Sequence, residues 1–278
     1  MKNTSRLILQ VRWGPQSFRK ASLLPGETLR VGREEAAGMR IAWDELMSPL
    51  HFELEWDGRS CRLRDLKSAL GTWLDGQPVQ EAEVPHGGWL RAGRTDFSVY
   101  HEEATPPPPV EDSAELAAAK EHALSLLLQQ EAPLFAVLDA ARDERILVLL
   151  RESIEECRSL YEGPQGDAME EVAPYLVRLP KGSKLLSSLV REGWSQSWGV
   201  YLTCALPFVE VRRHLRKFLR VRAEGIEGPL YFRYYDPRVL KTFLATSTQD
   251  QRREFLGPLA GFILEAGEGA ELRHYDAA

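Results

Sequence analysis

The stretch Leu230-Tyr231-Phe232-Arg233-Tyr234-Tyr235-Asp236-Pro237-Arg238-Val239-Leu240-Lys241-Thr242-Phe243-Leu244 carries the most structural information in the chain. In its first part Leu230, Phe232 and Tyr234 alternate with Tyr231, Arg233 and Tyr235, the period-two pattern of a strand with two faces. Asp236 then suits a helix N-cap, because its carboxylate can accept the orphan amide hydrogens of the first turn. Pro237 suits the first helical position, where a missing N–H loses no partner. Val239, Leu240, Phe243 and Leu244 follow on one helical stripe. The spacing predicts a strand joined rigidly to a helix, with Tyr234, Asp236 and Arg238 at the junction as partner-binding candidates.

The same grammar runs upstream. Leu134 to Leu138 before Asp139, Tyr175 to Leu179, and Trp198 to Leu202 read as short strands with helical segments between them. Six blocks occur in order: Leu-Phe-Ala-Val-Leu-Asp-Ala-Ala-Arg (134–142), Ser-Leu-Tyr-Glu-Gly (159–163), Ala-Pro-Tyr-Leu-Val (173–177), Gly-Trp-Ser-Gln-Ser-Trp-Gly (193–199), Arg-Arg-His-Leu-Arg-Lys-Phe-Leu (212–219) and Tyr-Tyr-Asp-Pro-Arg-Val-Leu (234–240). Together they resemble the type VI secretion effector-chaperone, or adaptor, family over residues 134 to about 265. The resemblance implies a non-enzymatic task in the bacterial cytoplasm: holding a toxin effector and helping to load it onto the VgrG spike protein.

A length of 278 residues accommodates two ordinary domains, and 44% hydrophobic content is ample for their cores. The net charge of −6 gives no general attraction for nucleic acid or an acidic membrane, so neither is expected as a partner. Cys61, Cys157 and Cys204 lie far apart and form no Cys-x-x-Cys, which argues against a disulfide framework or zinc site and for a reducing cytosol. The apolar residues near the N-terminus form only a short strand-like run, unlike a signal peptide. No segment approaches the roughly 20 apolar residues that span a bilayer.

Pro106 to Pro109 sit in a linker, residues 104–112, that favours an extended spacer and divides two kinds of text. Residues 1–103 show short alternating runs punctuated by Asp57-Gly58 and Asp75-Gly76, as in an all-β domain. Across residues 113–278 helices and strands alternate. Glu111, Asp112 and Ser113 supply a capped, acidic helix start, and Leu116, Ala119, Ala123, Leu126 and Leu127 recur at helical spacing. A helix over 113–131 is expected to dock on the second domain, since such a stripe is costly to leave wet.

In the first domain Val31-Gly32-Arg33, Ser48-Pro49-Leu50-His51, the run Asp65-Leu66-Lys67-Ser68-Ala69-Leu70-Gly71-Thr72-Trp73-Leu74-Asp75-Gly76, and Leu90-Arg91-Ala92-Gly93 resemble, in order and spacing, a forkhead-associated (FHA) domain. The resemblance implies a β-sandwich over residues 6–101 whose loops at one end read phosphothreonine. It makes Arg33 the cation, the Ser48 hydroxyl a phosphate donor and His51 a brace inside the loop; charge-assisted bonds of this kind carry phosphate recognition. Ala69 and Leu70 stand where the family carries a polar residue and the Asn that fixes the bound peptide's backbone, and Pro49 lacks an N–H. Two readings stay open: an FHA fold kept as a docking module, or a weakened reader of a phosphorylated secretion-system protein.

Enzyme chemistry finds little support. The histidines form no metal-ligand spacing, Gly193-Trp194-Ser195-Gln196-Ser197 lacks the second glycine of a nucleophile elbow, and no Gly-rich phosphate loop occurs. Asp139 and Asp236 follow strands, where α/β enzymes place catalytic groups, yet each reads as a turn or cap. Arg212, Arg213, Arg216, Lys217, Arg220 and Arg222 decorate a helix whose apolar stripe is Val211, Leu215, Phe218 and Leu219. Its basic face is solvated, docks an acidic partner or contacts nucleic acid, the last disfavoured because no aromatic residues interleave it for base stacking; Arg212, Arg213 and Arg216 are the partner-binding candidates. The sequence thus predicts an FHA-like all-β sandwich followed by an α/β adaptor domain with a mixed sheet flanked by helices. It predicts no catalytic or metal residue and no cofactor; the competing expectation is a phosphothreonine-dependent signalling scaffold.

Overall fold

The computed structural model describes residues 5–13, 16–109, 111–221, 227, 228, 230–267, 269 and 271–276. The chain divides into two compact units, Met1–Pro106 with Arg151–Glu156, and Pro107–Leu150 with Cys157–Ala278.

The first unit holds β1 (Leu7–Val11), β2 (Lys20–Leu23), β3 (Glu27–Gly32), β4 (Met39–Arg40), β5 (Phe52–Trp56), β6 (Cys61–Asp65), β7 (Thr72–Leu74), β8 (Gln77–Val79), β9 (Glu81–Val84), β10 (Trp89–Ala92) and β11 (Thr95–His101). They form two sheets, ordered β2-β1-β11-β10-β7-β8 and β4-β3-β5-β6-β9. Period-two alternation explains the sandwich: along β6, Cys61, Leu63 and Asp65 point inward while Arg62 and Arg64 face out. Leu9, Val31, Phe52, Leu54, Phe97 and Val99 meet between the sheets. On the other face of β5, Glu53 lies between Arg30 of β3 and Arg64 of β6, its carboxylate accepting from both guanidinium groups. Residues Arg151–Glu156, distant in sequence, belong to this unit. There Glu152 accepts the Thr105 amide at 2.9 Å and faces His86 Nε2 at 3.3 Å.

The second unit contains α1 (Ala114–Leu128), β12 (Leu134–Asp139), α2 (Glu144–Arg151), β13 (Cys157–Ser159), α3 (Gly163–Ala168), β14 (Pro174–Leu179), α4 (Lys184–Gly193), β15 (Gly199–Thr203), α5 (Phe208–Arg216), β16 (Arg220–Val221), β17 (Leu230–Tyr231), α6 (Pro237–Thr246), α7 (Gln249–Leu256), β18 (Gly261–Ala266) and β19 (Glu271–Asp276). Six strands form the sheet β13-β14-β12-β15-β18-β19. Strand direction refines the expectation of a mixed sheet, since each of its ladders is antiparallel. β12 is buried along its whole length, as its unbroken apolar run requires. Gly199 starts β15 where a Cβ would lie 2.2 Å from the Val137 carbonyl oxygen, so the ladder closes only around glycine. The core joins Phe135, Val200, Val211, Tyr234, Leu240 and Phe255, and Phe255 stacks on Phe262 with centroids 5.4 Å apart.

α1 begins at Ser113, whose hydroxyl accepts the Leu116 amide. It lies against α4 of its own unit, as its leucine stripe led us to expect. Lys120 on the same face is buried, held by Asp112 and by the Arg191 carbonyl at 2.7 Å. Cys61, Cys157 and Cys204 are all free thiols and all buried.

The predicted strand over 230–235 is corrected. Only Leu230 and Tyr231 are extended, pairing with Val221 and Arg220 in a two-stranded ribbon separate from the main sheet. Tyr234 and Tyr235 occupy a turn, and both are buried, Tyr234 donating its hydroxyl to the Leu215 carbonyl at 3.0 Å. Alternation of large aromatics matched a strand's period, but adjacent residues both buried are incompatible with one-sided burial. The helix itself starts where expected, with Asp236 accepting the Arg238 amide and Pro237 at the first position. Val239 leaves the predicted stripe and stands 38% exposed.

Candidate functional site

At one end of the first unit, β3 runs out at Gly32 and delivers Arg33 into a loop. A Cβ on residue 32 would fall 2.1 Å from the Pro49 carbonyl oxygen, so glycine lets the two loops touch. The Arg33 amide donates to the Ser48 carbonyl at 3.0 Å. His51 is buried beneath: its Nδ1 accepts the Ser48 amide at 3.1 Å and its Nε2 lies 3.1 Å from the Gly71 carbonyl oxygen. That pattern assigns the ring proton to Nε2. The Ser48 Oγ accepts the Ala69 amide at 3.0 Å, leaving its own hydrogen to donate.

Asp65 fixes the neighbouring loop by accepting from the Ser68 amide, the Ser68 hydroxyl and the Thr72 hydroxyl. Burial pushes its pKa up, but these bonds outweigh burial and hold the carboxyl below its ordinary range. The result is a rim with an exposed Arg33, whose guanidinium has no ion pair or hydrogen bond among the described residues. Beside Ser48 it carries Leu70, 53% exposed.

The basic helix is corrected in part. On α5, Arg212 turns inward: its guanidinium donates to the Ser159 carbonyl at 2.8 and 2.6 Å and pairs with Glu162. Arg216 donates to the Leu160 carbonyl at 2.8 Å and meets the same carboxylate at 2.7 Å. Burial would raise Glu162, but the two guanidinium groups hold it below the usual carboxylate range. His214 is buried, its Nε2 2.8 Å from the Phe255 carbonyl oxygen. Of the three candidates Arg213, with a side chain 68% exposed and paired with Glu210, is the solvated one, and Lys217 and Arg220 beyond it are exposed as well. Arg222 lies outside the described residues.

Asp139, at the end of β12, and Asp236, which caps α6 after a turn, are both committed. The buried Asp139 pairs with Arg233, and the buried Asp236 accepts Arg238 through Nε at 2.9 Å and Nη2 at 2.6 Å as well as the Arg238 amide. Burial would raise Asp236; Arg238's hydrogen bonds and the charge of Arg142 hold it low. Tyr234 lies in the core, and of the junction residues only Arg238 reaches solvent.

Arg238 opens onto a cavity of about 550 Å³ that also takes in Arg142, Ser195, Ser197, Lys241 and Glu265. Its floor is Glu265, which accepts the Ser195 amide at 2.6 Å and the Ser197 amide at 2.7 Å. Both serines hold left-handed backbone, φ +76° and +55°, a conformation that costs of order 1–3 kcal/mol per residue and persists only where surroundings over-determine it. Burial raises the Glu265 carboxyl despite these bonds. Three of the quoted blocks, 134–142, 193–199 and 234–240, supply this cavity. Lys241 and Glu265 lie outside all six, and nothing in their local sequence marked them.

Comparison with known proteins matches two separate stretches of the chain. Residues 29–93 match the FHA domain family, and residues 134–254 match the family described as Domain of unknown function (DUF4123). FhaA of Mycobacterium tuberculosis, an FHA domain-containing protein, is 36% identical over 69 residues, which is 25% of this chain and 13% of FhaA. A structure from a study of phosphothreonine-dependent FHA domain interactions is 31% identical, covering 37% of this chain and 99% of its own, with a TM-score of 0.32. The FhaA FHA domain complexed with the intracellular domain of Rv3910 is 33% identical, covering 34% of this chain and 98% of its own, with a TM-score of 0.31. The first unit is an FHA domain. A DUF4123 domain follows it in the same chain. Among the described residues no helix is long and apolar enough to cross a membrane.

Proposed function

We propose that the chain is a non-catalytic adaptor whose second unit holds a toxin effector and helps to load it onto the VgrG spike in the bacterial cytoplasm. The observation that carries this reading is the use made of the quoted blocks. Asp139 and Asp236, the groups best placed for chemistry, are consumed by Arg233 and Arg238, while residues around them build an open polar cavity suited to recognition. The match to DUF4123, whose description gives no role, covers residues 134–254, the stretch that holds all six blocks. Co-expression of the full chain with a toxin encoded beside it, followed by size-exclusion chromatography, is the test. A stable complex without ATP or metal is expected; separate elution would overturn the reading.

A second reading rests on the exposed Arg33 beside the Ser48 hydroxyl. By likeness to the FhaA domain and its protein complex, the FHA unit would hold a phosphorylated protein and so bring the adaptor to a regulated site. It requires a phosphate-dependent partner, and Leu70 opposes tight selection of the surrounding peptide.

A further inference from the structure

The polar cavity of the second unit has an imbalance of donors over acceptors. Glu265 spends both carboxylate oxygens on the amides of Ser195 and Ser197, and Asp236 spends its own on Arg238. Arg142 gives one Nη2 hydrogen to the Gln196 carbonyl at 3.3 Å. Lys241, one turn beyond Arg238 on α6, has no ion pair or hydrogen bond among the described residues. The cations come from the turn after β12 and from the first turns of α6, beside a serine loop whose left-handed backbone is held by the half-buried Glu265 carboxylate. Asp236 already caps α6, so the site's free donors are side chains and not the helix terminus. A cavity whose cations keep free donors while both neighbouring carboxylates are engaged is complementary to an acceptor-only group.

We propose that this cavity binds a carboxylate presented by a protein partner, with Arg142 and Lys241 as its ligands and Arg238 completing the rim. The inference rests on the adaptor reading and gives its second unit an acidic-peptide docking point. The carboxylate has two possible sources, an acidic side chain or a C-terminal α-carboxylate.

The test uses the full chain and three fluorescein-labelled peptides followed by fluorescence anisotropy. One is Gly-Asp-Glu-Asp-Glu-Gly capped at both ends, one its Asn/Gln counterpart capped at both ends, and one that neutral counterpart with a free C-terminus. Saturable binding of the acidic peptide, the free-terminus peptide or both is expected, at least about tenfold tighter than the capped neutral peptide, and weakening as ionic strength rises from about 0.05 to about 0.3 M. The Arg142→Gln/Lys241→Gln double variant should lose about tenfold, Lys241→Arg should retain affinity, and Arg252→Gln on α7, an exposed arginine outside the cavity, should not alter it. Equal binding of all three peptides, no binding of any, or undiminished binding by the double variant would overturn the proposal. A toxin complex that forms equally well with the double variant would also remove the docking point yet leave the adaptor reading standing. Peptide binding with no toxin complex would do the reverse.

Discussion

Leu70 decides what the FHA rim can select. A phosphate gripped by Arg33 and Ser48 gains charge-assisted bonds, but an exposed leucine offers no amide to fix the peptide backbone, whose ordering entropy then opposes binding. We expect phosphothreonine peptides from a degenerate library to bind more weakly than micromolar and without sequence preference. Ala69→Thr/Leu70→Asn should raise that affinity, and Arg33→Ala should abolish the gain. Fluorescence anisotropy decides it: micromolar binding by the natural chain that needs both the phosphate and Arg33 would refute this expectation. Arg33, Ser48 and His51 were legible because the motifs that carry them resemble those of the FHA family, and that resemblance implies their place at one end of a sandwich. Glu265 was not, since its partners are backbone amides some 70 positions earlier, and no local pattern announces a long-range bond to backbone.

The α5 helix shows where periodicity stops being informative. Spacing of Val211 and Leu215 located the buried stripe correctly, and the arginines on its flanks then read as one solvent-facing surface. What the spacing lacks is the edge strand β13 and the turn after it, whose carbonyls at 159–161 arrive beside Arg212 and Arg216 only in the folded unit. Arg212→Met should therefore strand buried acceptors and cost about 2–3 kcal/mol, whereas Arg213→Gln should change stability by less than about 0.5 kcal/mol. Hydrogen exchange separates the two: amides of Cys157–Ser159 should exchange faster in the first variant and at the natural rate in the second. Equal protection in both would mean that the clamp adds nothing. The same blindness to tertiary partners explains the aromatic run at 230–235, where burial on two sides of a turn imitates a strand.

Across the whole molecule, the contact pattern changes units between Pro106 and Pro107, within the proline run that composition singled out. The hexapeptide Arg151–Glu156 was assigned by sequence to the second domain, yet it counts with the first. A short segment held by Glu152's bonds to Thr105 and His86 carries no compositional mark. Each unit also contains its own buried thiols, Cys61 in the first and Cys157 and Cys204 in the second. Burial, with Glu83 adding its charge, pushes Cys61 up to about 12, so its reactive thiolate is scarce at neutral pH. Alkylation by a maleimide must then wait for an opening of the surrounding structure. Incubated in buffer, the protein should stay unlabelled; with rising denaturant, peptide mass spectrometry should record Cys61 modified on one schedule and Cys157 and Cys204 together on another. Immediate labelling of any of the three would contradict their burial. The cysteines thus serve as built-in clocks, letting the lifetime of each half of the chain be timed in the intact protein without cutting it apart.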